Sequence, residues 1–145
     1  MSSLLKVMLM SFLISSSLAY LDIKDFGEPM RKAAEECHDI CTDVTGTTDE
    51  QVQQIREGNF IDDEKMKRYI LCLWRVAGYM DRNLKINVAK VRQVLPQELI
   101  DSGCHSAAVK CLNEARNSGL KENYEKIYEL EKCLYKIDPQ KFVMF

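Results

Sequence analysis

The sequence has few of the residues that favour turns, and it lacks the alternating pattern of a strand. Its 145 residues include only three prolines and six glycines, and no stretch alternates apolar and polar residues as a half-buried strand does. It also lacks an internal repeat, a low-complexity tract and an Asn-x-Ser/Thr acceptor for N-glycosylation. These absences count against an all-β fold and a repeat protein, and they favour one all-α domain.

Common catalytic motifs are missing as well. The chain has no Gly-x-Ser-x-Gly elbow and no glycine loop that could cradle a phosphate. Its formal charge is -2, and a mildly acidic surface disfavours nucleic acid and anionic membranes as main partners. We therefore expect a protein that is not an enzyme and has no cofactor and no metal site.

The amino terminus resembles a secretory signal peptide. Lys6 supplies a positive start, residues 7–14 form a short apolar run, and Ser17-Leu18-Ala19 fits the small-x-small cleavage pattern. The apolar run is too short to cross a bilayer, which takes roughly 20 residues. We expect residues 1–19 to be removed and residues 20–145 to form a single secreted, extracellular domain.

Helical periodicity runs through the rest of the chain. Thr47 and Thr48 offer overlapping capping boxes, Asp62 or Asp63 starts the strongest helix, and Asn87 can cap the next one. Pro96 interrupts that helix. The pattern predicts about six short helices joined by brief loops.

All six cysteines lie after the leader: Cys37, Cys41, Cys72, Cys104, Cys111 and Cys133. An even number in a secreted chain favours disulfides, but spacing alone does not determine which cysteines pair.

The string Cys37-His38-Asp39-Ile40-Cys41 resembles the active-site helix of secreted phospholipases. That family needs a glycine-rich calcium loop upstream, but Gly27 is the only glycine in residues 20–36. A zinc site could be drawn from Cys37, Cys41, His38 and His105, but no second compact ligand pair supports it. A solvated His-Asp pair beside structural cysteines is the simpler interpretation.

Several segments, in this order and spacing, resemble the insect odorant-binding proteins of the pheromone-binding and general odorant-binding superfamily. The resemblance covers nearly the whole chain after the leader. The segments are Cys41-x3-Thr45-Gly46-x-Thr48, Glu57-Gly58-Asn59-Phe60-x-Asp62-Asp63-Glu64-Lys65, Tyr69-Ile70-x-Cys72-Leu73-x3-Ala77-Gly78, Lys85-Ile86-Asn87-Val88, Leu95-Pro96-x-Glu98-Leu99, Asp101-Ser102-Gly103 and Lys132-Cys133-x-Tyr135.

The resemblance implies a disulfide pattern. Familiar members pair six cysteines first to third, second to fifth and fourth to sixth, which implies Cys41–Cys72 and Cys111–Cys133 here. Arg68 and Tyr124 occupy the second and fifth positions, so one whole bridge is absent, as in the "minus-C" branch of the family. Cys37 and Cys104 are extra, and they could form an additional bridge or remain buried thiols.

The resemblance also implies a compact six-helix, all-α, disulfide-linked fold around an apolar cavity that carries small hydrophobic molecules such as odorants, pheromones or fatty acids. Tyr69 or Tyr128 could supply a hydrogen bond, and the apolar tail from Phe142 could form a lid or a surface clasp. For any one of the wall candidates, packing in the core is the more common role. The candidates are Met66, Tyr69, Ile70, Leu73, Trp74, Val91, Val94, Ala108, Leu112, Ile127, Tyr128, Leu130 and Leu134.

The sequence is also compatible with two other functions. One is a salivary or haemolymph scavenger of amines or lipids on the same fold. The other is a cavity-free helical signalling or partner-binding protein. For the carrier, the expected partners are the small hydrophobic ligand and a membrane odorant receptor, and the protein would be a monomer or a weak dimer.

Overall fold

The computed structural model describes residue 21 and residues 23–144. The leader expected at residues 1–19 lies outside the described residues. Within them the secondary structure is helical, with two single 3-10 turns and one isolated bridge between Met80 and Ile86. The α-helices are α1 (Glu28–Thr45), α2 (Asp49–Arg56), α3 (Glu64–Val76), α4 (Val88–Val94), α5 (Gln97–Asp101), α6 (Cys104–Arg116) and α7 (Asn123–Ile137).

Local sequence signals set several helix ends where they were predicted. Thr48 and Gln51 form a capping box at the start of α2, Asp63 accepts a hydrogen bond from the Met66 amide at the start of α3, and the Asn87 side chain caps α4. These caps satisfy amides that have no partner inside the helix.

The described residues contain one helix more than the sequence predicted, because the chain becomes helical again after Pro96. Leu95 is extended, as a residue before proline prefers to be. Pro96 then stands at the N-cap of α5, where a missing amide hydrogen costs nothing. The result is a sharp corner between two short helices.

Helix α3 lies at the centre of the fold. It packs against α1 on one side and α7 on the other, and α7 packs in turn against α6. The disulfide Cys41–Cys72 joins α1 to α3, and Cys111–Cys133 joins α6 to α7. These are the two pairings that the family resemblance implies.

Two groups of buried apolar residues fill the interior. The main core combines α1, α2, α3, α6 and α7 with the carboxyl-terminal residues Phe142 and Met144. A smaller group around Phe26, Met30 and Leu99 joins α1 to α5. The gap between these two groups is where the candidate site lies.

Candidate binding cavity

A cavity of about 460 Å³, partly open to solvent, is lined by α4, α5, α6, the carboxyl-terminal half of α7 and the tail that follows it. Its lining is mostly apolar and includes Trp74, Ile86, Val88, Val91, Val94, Leu95, Leu99, Ile100, Ala107, Ala108, Leu134, Ile137, Phe142 and Val143. An apolar space of this size with a few polar groups at its edge is typical of a small-molecule site.

Helix α4 explains why the space stays open. Val88, Val91 and Val94 recur at helical spacing, yet no residue of α4 is fully buried. All three valines line the cavity. The apolar face of α4 therefore borders open space, whereas the apolar face of a core helix would contact close-packed side chains. The corner at Pro96 then leads into α5, whose Leu99 and Ile100 line the next part of the wall.

The structure brings five of the thirteen predicted wall residues together at the cavity: Trp74, Val91, Val94, Ala108 and Leu134. Two more, Ile70 and Leu73, border an adjoining void of about 30 Å³. The remaining six lie in the packed core and do not line the cavity: Met66, Tyr69, Leu112, Ile127, Tyr128 and Leu130. Their side chains are buried among the other residues of the main core.

Neither of the two tyrosines predicted to hydrogen-bond a ligand, Tyr69 and Tyr128, lines the cavity. The Tyr69 hydroxyl lies 2.7 Å from His38 Nδ1, and Tyr128 donates its hydroxyl hydrogen to the Ile61 carbonyl. Burial raises the pKa of both tyrosines above the ordinary value. Both hydroxyls are therefore engaged in holding the core together.

Among the polar residues that line the cavity, Glu131 on α7 is buried. Its Oε1 accepts a hydrogen bond of 2.6 Å from Trp74 Nε1, and its Oε2 has no hydrogen-bond partner. The residue is only 3% exposed, and this burial raises the pKa of its carboxyl to about 7, although the Trp74 hydrogen bond acts in the opposite direction. A buried carboxyl with no cation beside it favours its neutral form.

Sequence reasoning missed Glu131, but a signal was present. Ile127, Leu130, Glu131 and Leu134 follow the spacing of one helical face. A carboxyl on an otherwise apolar face must either be buried or disrupt the packing of its helix. That conflict marks a candidate functional residue.

The tail after α7 forms part of the wall. The Phe142 ring makes edge contacts with Phe60 and Tyr135, the Arg56 side chain donates to the Met144 carbonyl, and Val143 lines the cavity. The tail is thus anchored to the core on both sides of Val143 and closes one side of the space.

The family was identified by comparison with known proteins. A model of the PBP/GOBP family matches residues 23–137, which is most of the chain and every α-helix described above. The chain belongs to the PBP/GOBP family.

Two solved structures of odorant-binding proteins are similar to this PBP/GOBP chain. One is odorant binding protein 5 of Apis mellifera, with a TM-score of 0.66 and 22% identity, covering 87% of this chain and 99% of that one. The other is odorant binding protein 4 of Chrysopa pallens, with a TM-score of 0.59 and 26% identity, covering 80% of this chain and 96% of that one. Both support the helical odorant-binding-protein fold.

A cation–π contact replaces the missing PBP/GOBP bridge. The Arg68 guanidinium lies 4.4 Å from the centre of the Tyr124 ring, and the family resemblance implies that these two residues stand where the absent cysteines would be. The contact joins α3 to α7, the helices that the absent disulfide would tie. Such a contact at a solvated site is much weaker than a disulfide.

The two extra cysteines do not form a bridge. Cys37 and Cys104 are both free. Cys37 packs against the main core and Cys104 against the smaller apolar group. Burial raises the pKa of each thiol, which disfavours the reactive thiolate.

The motif around His38 is tied into local structure. His38 Nε2 lies 3.0 Å from the Asp49 carboxylate while Nδ1 meets Tyr69, so the imidazole links α1, α2 and α3. Among the described residues, no cluster of three or more histidine, cysteine or acidic side chains could hold a metal ion. Nor does that part of the chain include a helix of the length and apolarity needed to cross a membrane.

Two wider depressions lie elsewhere on the surface. One, of about 770 Å³, is lined by residues of α6 and its C-cap Asn117, among them Lys110, Asn113 and Glu114. The other, of about 630 Å³, runs between α1 and α2 beside His38 and Asp49. Both are more open to solvent than the cavity beside Glu131, and a depression formed by one helix cannot surround a ligand. The cavity beside Glu131 is therefore the better candidate site.

Proposed function

We propose that this protein binds a small hydrophobic molecule in the cavity between α4, α5, α6 and α7 and carries it through an aqueous extracellular fluid. The observation that supports this most directly is the apolar space of about 460 Å³ in a chain of the PBP/GOBP family. Its volume falls in the range of about 300–1,000 Å³ that is usual for small-molecule sites. A cavity-free partner-binding protein would not need such a space.

Binding would be driven by removing apolar ligand surface from water, at about 25 cal/mol per Å². The proposed contact residues are the predicted ones that line the cavity: Trp74, Val91, Val94, Ala108 and Leu134. The absence of the third bridge leaves α3 and α7 tied only by weaker contacts. We therefore expect the pocket to adapt to ligands of different shape.

The amino-terminal sequence supports secretion of the carrier. Odorants, pheromones and fatty acids are the ligand classes proposed, with a membrane odorant receptor as the recipient. We propose a monomer or a weak dimer and no catalytic step.

The test is displacement of a fluorescent apolar probe by a panel of alcohols, esters, terpenes and fatty acids. We expect several compounds to compete at micromolar concentration. Ala108→Phe, which fills the cavity from α6, should weaken probe binding, whereas Asn113→Phe on the exposed side of the same helix should not. Failure of every compound to compete, with the protein folded, would contradict the proposal.

A second candidate function is the capture of amines on the same fold. Glu131 and Asp138 both line the cavity, and a carboxylate can pair with an ammonium group. If this is the function, alkylamines should displace the probe better than alcohols of the same length, and their advantage should increase as the pH rises through 7.

A further inference from the structure

Glu131 carries an unpaired oxygen at a boundary between two spaces. The main cavity and the small adjoining void share four residues: Trp74, Tyr79, Glu131 and Val143. Oε1 of Glu131 is occupied by Trp74, while Oε2 is buried without a hydrogen-bond partner. A buried acceptor left unpaired costs free energy, and a ligand that supplies a donor there recovers it.

Most of the side chains that surround the small void beside Glu131 are apolar. The remaining residues around the small void are Ile70, Leu73 and Met144, all apolar. The titratable or charged side chains that line the cavity from other positions are Tyr79, Arg92, Cys104, His105, Asp138 and Lys141. None of them hydrogen-bonds to Oε2. In the ionised carboxylate, Oε2 is therefore an unpaired acceptor on a residue that lines both spaces.

This pattern suits one kind of ligand group. A hydroxyl brings one hydrogen to donate, which a single acceptor satisfies. An ammonium group brings three, more than Oε2 alone can accept, and burying its charge carries a larger desolvation cost than burying a hydroxyl. A carbonyl or ether brings none and would face Oε2 with a second acceptor.

We propose that Glu131 receives the hydroxyl group of an otherwise apolar ligand, so that the carrier prefers aliphatic or terpenoid alcohols over ethers, esters and amines of equal size. This inference rests on the proposed carrier function. Glu131 is then the residue that determines the chemical class of the ligand, while the valines of α4 and the alanines of α6 determine only the shape of the cavity.

The test compares isomers that differ only in the donor. Displacement of a fluorescent apolar probe is measured at pH 8 for 1-undecanol and for methyl decyl ether, which contain the same atoms. A hydrogen bond to a charged group predicts that the wild type binds the alcohol about tenfold more tightly than the ether. In Glu131→Leu the two isomers should bind within about twofold of one another, because the acceptor is gone.

A second variant guards against misfolding. Glu131→Gln keeps the shape and the acceptor for Trp74 but places an N–H₂ donor near the position of Oε2. The ether oxygen can then accept a hydrogen bond just as the alcohol oxygen can. The ratio of the two dissociation constants should therefore again fall towards one. Arg75→Gln, at an exposed position on α3, is the control and should keep the tenfold preference.

The outcomes separate this inference from the carrier function. If both isomers bind the wild type equally, the role of Glu131 is wrong and the carrier function stands. If 1-aminoundecane binds more tightly than 1-undecanol at pH 8, the site selects ammonium groups, and the alcohol preference is overturned. If neither isomer displaces the probe from a protein with its full helical circular dichroism signal, the carrier function fails, and the proposed preference fails with it.

Discussion

Replacing Glu131 by Gln should change how stability depends on pH. The folded-state pKa of Glu131 is raised from its ordinary value of 4.5 to about 7 by burial. Between these values the unfolded chain releases the proton and the folded protein keeps it. The folded state therefore binds more protons, and the stability of the wild type falls as pH rises through this interval.

The size of the effect follows from the width of the interval. Each pH unit across which only the unfolded state ionises costs about 1.4 kcal/mol. The interval from 4.5 to about 7 thus amounts to about 3 kcal/mol. The contribution of Glu131 to the free energy of unfolding is fully present below pH 4.5, declines between pH 4.5 and 7, and changes no further above pH 7. Glu131→Gln has no carboxyl to ionise and should not show this decline.

The assay is urea unfolding of both proteins from pH 4 to pH 8.5. The difference in the free energy of unfolding, variant minus wild type, should increase by about 3 kcal/mol over the interval. Taking the difference removes the contribution of other titrating groups that the two proteins share. A difference that stays constant within about 0.5 kcal/mol would refute the burial of an unpaired carboxyl.

Two controls sharpen this experiment. Trp74→Phe removes the N–H that stabilises the carboxylate, so the folded-state pKa should rise further and the decline should extend above pH 7. Glu129→Gln removes a partly exposed carboxylate on the same helix that pairs with Lys132. It should change stability by less than about 1 kcal/mol and leave the interval unchanged.

Three further predictions concern the links between helices. Replacing Cys41 and Cys72 by Ala opens a loop with a sequence separation of 31 and should lower the free energy of unfolding by about 3–4 kcal/mol in urea titrations; a loss below 1 kcal/mol would contradict the chain-entropy argument. Arg68→Cys combined with Tyr124→Cys restores the absent bridge and should raise the Tm of the oxidised form above that of the reduced form, so a lower oxidised Tm would contradict the alignment. Phe142→Ala removes a buried ring from the contacts that anchor the tail, so the free energy of unfolding should fall by about 3 kcal/mol. The same change should speed ligand release in stopped-flow experiments. An unchanged release rate would mean that the tail does not control release.

Much of the fold could be predicted because its signals are local. A cap such as Asp63 acts on an amide three residues away, so sequence alone contains the relevant information. The helix after Pro96 was missed because α5 has only five residues. A helix of that length depends on contacts with the rest of the protein more than on its own sequence.

The cavity wall was harder to predict than the helices. Helical spacing identifies an apolar face but not what that face meets. Leu130 and Leu134 share one face of α7, yet Leu130 is in the packed core and Leu134 borders the cavity. Only the arrangement of α4, α5 and the tail around α6 and α7 decides where the space lies, and that arrangement is not encoded in any one helix.

A ligand bound in the proposed cavity would lie beside Trp74, which is the only tryptophan of the chain. Its fluorescence should therefore report binding directly when the folded protein is titrated with an aliphatic alcohol carrying a bromine quencher. We predict saturable one-to-one quenching that the unbrominated alcohol reverses and that Ala108→Phe weakens strongly. No quenching from a folded protein, or quenching that Ala108→Phe leaves unchanged, would contradict binding in this cavity.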